Sequence, residues 1–167
     1  MKKLKLASFA PLEEMAKGGR IPCPKCQRVS KYYCYLCFLP VGDYQPQIPK
    51  LNLPVKVTLL SHPKELKSKS SVVPIKILAP EDVDFVSSAD APDFLADGSL
   101  PHEVAVLFPG EGAIEVTDMT EAELRQLKRV IIIDSTWGQT RRYMMNENIK
   151  KLKMVKIQTE RSVFWRY

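Results

Sequence analysis

Val130-Ile131-Ile132-Ile133 runs directly into Asp134-Ser135-Thr136-Trp137-Gly138. Four consecutive β-branched residues favour a buried strand, because branching at Cβ suits a pleated backbone and no polar residue interrupts the run. A carboxylate, two hydroxyls and an indole then stand at its end, and Gly138 lets the backbone turn. In open α/β sheets ligands gather where strands end and helices begin. The residues also admit a plainer reading, in which Asp134 or Thr136 caps the next helix and Trp137 packs beneath it.

The flanking pattern sets the fold class. Strands are predicted at residues 55–60, 75–78, 104–108, 130–133 and 154–157. Thr120-Glu121-Ala122-Glu123 is a capping box that opens a helix to about residue 128. A second helix is predicted over residues 139–152, with Tyr143, Met144, Ile149 and Leu152 on one apolar stripe. Strands interleaved with helices indicate an α/β fold around a mostly parallel sheet. Residues 82–101 are acidic and rich in Ser and Ala, which reads as a surface excursion. At the other end, residues 1–20 form a flexible segment with a short helix near residues 12–17. Pro40, Pro46, Pro49 and Pro54 mark residues 41–54 as an extended connector.

A chain of 167 residues holds one proper core rather than two full domains. No stretch reaches the roughly 18 apolar residues of a membrane span. The basic opening Met1-Lys2-Lys3-Leu4-Lys5 precedes an apolar segment too short and interrupted for a secretion signal, so neither membrane nor secretion is expected. The net charge of +6 is unevenly placed. Residues 1–37 carry eight basic and two acidic side chains, residues 38–140 nine and fifteen, and residues 141–167 eight and two. Two basic ends around an acidic middle suit a polyanion such as nucleic acid, or form solvated faces.

Every cysteine lies in one of two C-x-x-C knuckles, Cys23-Pro24-Lys25-Cys26 and Cys34-Tyr35-Leu36-Cys37. Four thiolates arranged in two pairs match a structural zinc with no open coordination position. An iron–sulfur cluster is the alternative four-thiolate ligand. Lys25, Arg28, Lys31, Tyr32, Tyr33 and Tyr35 surround the knuckles, either to contact nucleic acid or to pack the ribbon.

Two knuckles followed by an α/β unit bearing Asp134-Ser135-Thr136-Trp137 resemble the DTW-domain family, nearest its eukaryotic branch. Further matches follow in family order: His62-Pro63 with Glu65, Ser70-Ser71, Leu107-Phe108-Pro109-Gly110, Gln139-Thr140 and Phe164-Trp165-Arg166. The resemblance covers residues 20–167. It implies a SPOUT-like, trefoil-knot-related domain over residues 55–167, preceded by a zinc ribbon at residues 21–40.

The resemblance also implies an activity: transfer of the 3-amino-3-carboxypropyl group from S-adenosylmethionine to N3 of a D-loop uridine in tRNA, releasing methylthioadenosine. On this basis Asp134 and Trp137 are the catalytic candidates. Phe108, Pro109, Gly110, Ser135 and Thr136 line the S-adenosylmethionine cleft, and Arg141, Arg142, Lys150, Lys151 and Lys153 face tRNA. Cys23, Cys26, Cys34 and Cys37 hold structural zinc. A nuclear location is part of the same implication. The family continues into a Leu-Ser-Thr-x-Glu-Ala motif and a further helix, whereas this sequence ends at Tyr167. An incomplete domain is therefore expected. Its alternatives are an inactive zinc-ribbon module that binds tRNA and a SPOUT-type RNA methyltransferase.

Overall fold

The computed structural model describes Ser8, residues 10–42 and residues 48–157. The chain forms two compact units. One runs to Leu51 and takes in Lys67–Pro80; the other comprises Asn52–Leu66 and continues from Glu81.

In the first unit, helix α1 (Ala10–Lys17) precedes two short antiparallel hairpins. Strand β1 (Ile21–Pro22) pairs with β2 (Val29–Ser30), and β3 (Tyr33–Cys34) with β4 (Leu39–Pro40). The first knuckle occupies the turn of its hairpin, the second runs from Cys34 at the end of β3 into its turn, and both close in the same way. Gln27 N–H donates to the Cys23 carbonyl at 3.0 Å, and Phe38 N–H to the Cys34 carbonyl at 2.8 Å. The residue after each second cysteine is left-handed, Gln27 at φ 60° and Phe38 at φ 55°. An L side chain there carries a steric cost of about 1–2 kcal/mol that glycine avoids.

Residues 75–78, predicted as a strand, belong instead to helix α2 (Val73–Leu78). Short apolar runs do not distinguish strand from helix by periodicity, and Pro74 in the first turn presets φ for a helix. The Ala79 N–H closes the turn on the Ile75 carbonyl at 2.9 Å.

The second unit is built on a six-stranded parallel sheet. Its strands are β5 (Lys56–Ser61), β6 (Val83–Ser87), β7 (Val104–Leu107), β8 (Ile114–Glu115), β9 (Arg129–Asp134) and β10 (Lys153–Lys156). Their order is β6-β5-β9-β7-β10-β8, which confirms the mostly parallel α/β reading. The run Val130–Ile133 lies within the strand between β5 and β7, where both neighbours supply hydrogen bonds.

Strand β7 explains its own unbroken apolar sequence. Val104 and Val106 enter a core with Leu60, Ile131, Tyr143, Ile149 and Leu152. Ala105 packs with Met119 and Val155 in a second cluster, flanked by Leu107. Alternate residues thus serve two apolar layers.

Strand β6 lies in the stretch predicted as an acidic excursion. Its Val83-Asp84-Phe85-Val86-Ser87 sequence pairs residue by residue with β5, from Val57↔Val83 to Ser61↔Ser87. Edge position explains the missed strand: Asp84 is exposed, so its charge needs no burial. Residues 88–100 do form a connection without long regular elements, but Ala91 and Phe94 from it are buried in the core.

Thr120 caps helix α3 (Glu121–Gln126) as predicted, with Glu123 N–H donating to its hydroxyl at 3.2 Å. The single helix predicted at residues 139–152 is two helices, α4 (Trp137–Met145) and α5 (Glu147–Lys150). Asn146 is extended between them, and its side chain accepts the Asn148 N–H at 2.8 Å. A short amide that competes for backbone hydrogen bonds favours such a break. Tyr143, Ile149 and Leu152 are nevertheless buried as expected.

Candidate active site and metal centre

The parallel register brings three strand ends to one crest. Ser61 ending β5 is level with Asp134 ending β9, and Leu107 ending β7 is level with Ile132. His62, Ser135 and Phe108-Pro109-Gly110 follow these ends. The Asp134 carboxylate accepts the Ser61 hydroxyl at 3.4 Å, and its carbonyl accepts the His62 N–H at 3.1 Å. Ser61 is buried while Asp134 is half-buried. One acidic oxygen is therefore held from beneath, with part of the group accessible.

The rest of the motif opens α4. Thr140 Oγ1 donates to the Thr136 carbonyl at 2.9 Å and lies 2.7 Å from Ser135 Oγ. A threonine has one hydroxyl hydrogen, so Ser135 must be the donor to Thr140. Ser135 then retains lone pairs but no hydrogen for a ligand. Thr136 N–H is shared between Gln139 Oε1 at 3.0 Å and Glu65 Oε1 at 3.1 Å. That pairing ties the loop after β5 to the start of α4.

Trp137 does not pack beneath the helix. It is 80% exposed and meets Phe108 edge-on, with ring centroids 6.4 Å apart. His62 meets Tyr143 at 6.2 Å, and its Nδ1 accepts the Lys64 N–H at 3.2 Å. Gly110 is closely approached by side chains: a Cβ there lies 2.7 Å from Met154 Sδ and 3.2 Å from Phe108 Cδ1, so Met154 must shift to admit one. Of the sequence-nominated residues, Asp134, Ser135, Thr136, Trp137 and Phe108–Gly110 occupy this crest. Ser61 was missed; the polar residue at the end of the apolar strand was its signal.

The five basic residues proposed to face RNA lie on α4, α5, the turn after α5, and β10. Four carry an acidic neighbour: Arg142 with Asp90 at 2.7 Å, Lys150 with Glu147 at 2.7 Å, Lys151 with Asp93 at 2.6 Å, and Lys153 with Glu123 at 3.1 Å. Arg141 is exposed and has no ion-pair partner among the described residues. The Lys151 hydrogen bond, then the Leu95 N–H, hold the Asp93 carboxyl below its ordinary pKa.

In the first unit the four cysteine sulfurs all lie within 4.8 Å of one another, Cys26 and Cys34 at 3.6 Å. A tetrahedron with metal–sulfur bonds of about 2.3 Å has sulfur–sulfur edges of about 3.8 Å. The cluster therefore fits a four-thiolate ion. Hydrogen bonding to the Cys26 backbone draws Cys23 down to about 7, while the Cys26 side chain and burial push Cys37 up to about 12. Sulfurs this close share protons, which a bound divalent cation displaces. Cys23 and Cys34 are buried with Val41, beside Ile21 and Cys37.

Comparison with known proteins places this arrangement. The model of the DTW domain matches residues 31–167. The tRNA-uridine aminocarboxypropyltransferase 1 of Xenopus tropicalis is 31% identical over 206 aligned positions, covering all of this chain and 69% of the frog protein. The proteins of the same name from Mus musculus and Homo sapiens are each 30% identical, with 67% of their length covered. No solved structure matches. The family match, the similarity over the whole of this chain and the Asp134-Ser135-Thr136-Trp137 crest together establish that the chain belongs to the DTW-domain family.

Proposed function

We propose that the protein is a tRNA-uridine aminocarboxypropyltransferase, moving the 3-amino-3-carboxypropyl group of S-adenosylmethionine to N3 of a D-loop uridine. Family membership and the activity for which the relatives are named support tRNA modification. The observation that carries the reading is Asp134, held by Ser61 at the carboxyl end of β9 beside Phe108-Pro109-Gly110.

The residues suit such a donor. S-adenosylmethionine carries a sulfonium and an ammonium, and the crest presents a carboxylate, hydroxyl lone pairs and aromatic rings, all of which attract cations. When bound, the sulfonium supplies an activated leaving group. Asp134 removes the proton from uracil N3 or holds the donor's ammonium. In the transfer, N3 forms a bond to the aminocarboxypropyl methylene as that carbon's bond to sulfur breaks. The electron pair returns to sulfur, giving methylthioadenosine. The N3 proton passes to solvent, through Asp134 where that carboxylate is the base and directly where it holds the ammonium. Ser135 and Thr136 with Phe108–Gly110 orient the donor, and Trp137 stacks on a base or adenine. Arg141, which has no ion-pair partner among the described residues, meets the tRNA backbone; Arg142, Lys150, Lys151 and Lys153 join it only by exchanging their acidic partners for phosphate.

Cys23, Cys26, Cys34 and Cys37 hold structural zinc, which stabilises the small N-terminal unit rather than joining the reaction. A SPOUT-like pocket and a nuclear location belong to the same proposal. The Phe164-Trp165-Arg166 match lies outside the described residues. No helix among those residues is long and apolar enough to cross a membrane.

The test is transfer to unmodified tRNA from S-adenosylmethionine labelled either in the aminocarboxypropyl carbons or in the methyl group. Aminocarboxypropyl label in the RNA is expected. Methyl label assigns a methyltransferase instead, and no label with tRNA still bound assigns a binding module.

A further inference from the structure

The outward face of α4 has an unusual composition. Its exposed residues are Trp137, Gly138, Arg141, Arg142 and Met145. At 100° per residue they fill one arc of about 140°, opposite the side that buries Thr140 and Tyr143. Trp137, Arg141 and Met145 are spaced i, i+4, i+8 and form a ridge. The two apolar members are 80% and 62% exposed, although neither contributes to the core. Beside the ridge Gly138, Arg141, Arg142, Met145 and Asn146 line a shallow depression of about 450 Å³.

We infer that this ridge is a platform for single-stranded RNA, stacking unpaired bases on Trp137 and Met145 while Arg141 meets the backbone. Three observations favour RNA over a peptide or a second copy. The helix contains no carboxylate of its own, and the acidic group paired to its outward face, Asp90, is bound to Arg142 rather than to the ridge. Arg142 is paired with Asp90, whereas Arg141 has no acidic partner among the described residues and stands between Trp137 and Met145. An indole beside an arginine supplies the two contacts that unpaired nucleotides accept: a stacking surface and a phosphate ligand.

The dimensions agree. From Trp137 to Met145 the helix rises about 12 Å at about 1.5 Å per residue. That length spans three to four bases at a rise of about 3.4 Å. Phe108 against Trp137 links one end of the ridge to the crest that bears Asp134. A strand lying on α4 is thereby led toward that carboxylate. Bases paired in a duplex keep their faces stacked on each other, so the ridge discriminates for loops and unpaired ends. The inference rests on the proposed tRNA-modifying role and names the part of the RNA that this face reads.

Gly138 offers a clean test, because a Cβ added there meets nothing within 4 Å. Gly138→Glu places a carboxylate on the depression while replacing a helix-weakening glycine near the helix N-terminus, where a negative charge is favoured. Met145→Glu charges the far end. Binding of the full chain to a labelled 12-nucleotide oligouridine, and to a labelled RNA duplex, is measured by anisotropy. Melting temperature, sedimentation and tRNA transfer are followed beside it.

Each variant is expected to weaken oligouridine binding about tenfold or more without lowering the melting temperature. Duplex binding is expected to be weaker than oligouridine binding in the wild type. Oligouridine affinity within twofold of wild type in both folded variants overturns the platform. So does a wild-type dimer that Gly138→Glu dissociates while RNA affinity stays constant, which makes the face a self-interface. Lost oligouridine binding by the variants, in a protein whose wild type transfers no label, retains the platform and removes the transferase reading. Normal binding by the variants with active wild-type transfer does the reverse.

Discussion

Glu65, in the loop after β5, accepts the backbone N–H of Thr136 across 71 residues of chain, at 3.1 Å. The same N–H is also held by Gln139, so the helix start keeps a cap without Glu65. The carboxylate thus acts less as a cap than as a tether, joining the loop behind Ser61 to the motif behind Asp134. Glu65→Ala is expected to cost about 1 kcal/mol of stability or less, given the retained Gln139 contact. Transfer is expected to lose more, through kcat rather than KM, and Glu65→Gln to recover most of it by restoring an acceptor. A kcat for the alanine variant equal to wild type removes the positioning role.

Asp134→Asn is expected to abolish aminocarboxypropyl transfer while zinc content and melting temperature stay near wild type. Ser61→Ala removes a donor to the same carboxylate. Losing one such hydrogen bond is worth about 1 kcal/mol, which corresponds to a rate loss of roughly fivefold. Single-turnover rates on tRNA read both. Undiminished transfer by Asp134→Asn excludes it as the base.

Replacing Cys34 with Ser deletes a buried ligand from the four-sulfur cluster. Zinc content is expected to fall from one ion per chain toward zero and the melting temperature to fall with it, since structural zinc contributes folding energy. A chelator should reproduce the thermal shift in the wild type and leave the variant unchanged. Metal analysis beside calorimetry decides the matter.

The two knuckle turns make unequal responses to glycine expected. Gln27 is exposed at φ 60°, so Gln27→Gly relieves about 1–2 kcal/mol of backbone strain against about 0.5–1 kcal/mol of added unfolded-chain entropy. A small rise in melting temperature should result. Phe38 has the same backbone, but Lys67 Nζ lies 5.7 Å from its ring centroid. Phe38→Gly gives up that contact and should gain less or lose stability.

Acid sensitivity should centre on Glu123. Its carboxyl is lowered to about 2, first by the Thr120 backbone N–H and next by the Lys153 side chain. A carboxyl depressed in the folded state stabilises above its unfolded pKa, and the contribution is lost as pH falls through the folded value. Stability should therefore erode between about pH 4.5 and pH 2, more gently in Glu123→Gln. Melting curves across that range check the sign; a steeper loss in the variant contradicts it.

Local chemistry made much of this protein legible. The cysteine spacing marks the four-sulfur cluster because two thiols per turn already meet half of what a four-thiolate ion requires. The capping box at Thr120 and the strand at Val130–Ile133 are local signals of the same kind. Errors arose where the signal was ambiguous or weak. Ile75–Leu78 has strand-like composition in a helix begun by Pro74, and β6 tolerates acidic residues because it lies at an edge.

Residue order by itself determined the α/β class, the four-cysteine cluster that fits a metal ion and the place of Asp134 at a strand end. Each of these depends on composition and spacing within a few residues. Only the tertiary structure decided that Ser61 supports Asp134, that Glu65 tethers Thr136, that Asp90 and Asp93 neutralise Arg142 and Lys151, and that Trp137 lies open beside Arg141. Those facts depend on parallel register and on which helix face the core claims. Register is set jointly by strands dozens of residues apart, and no local pattern contains it.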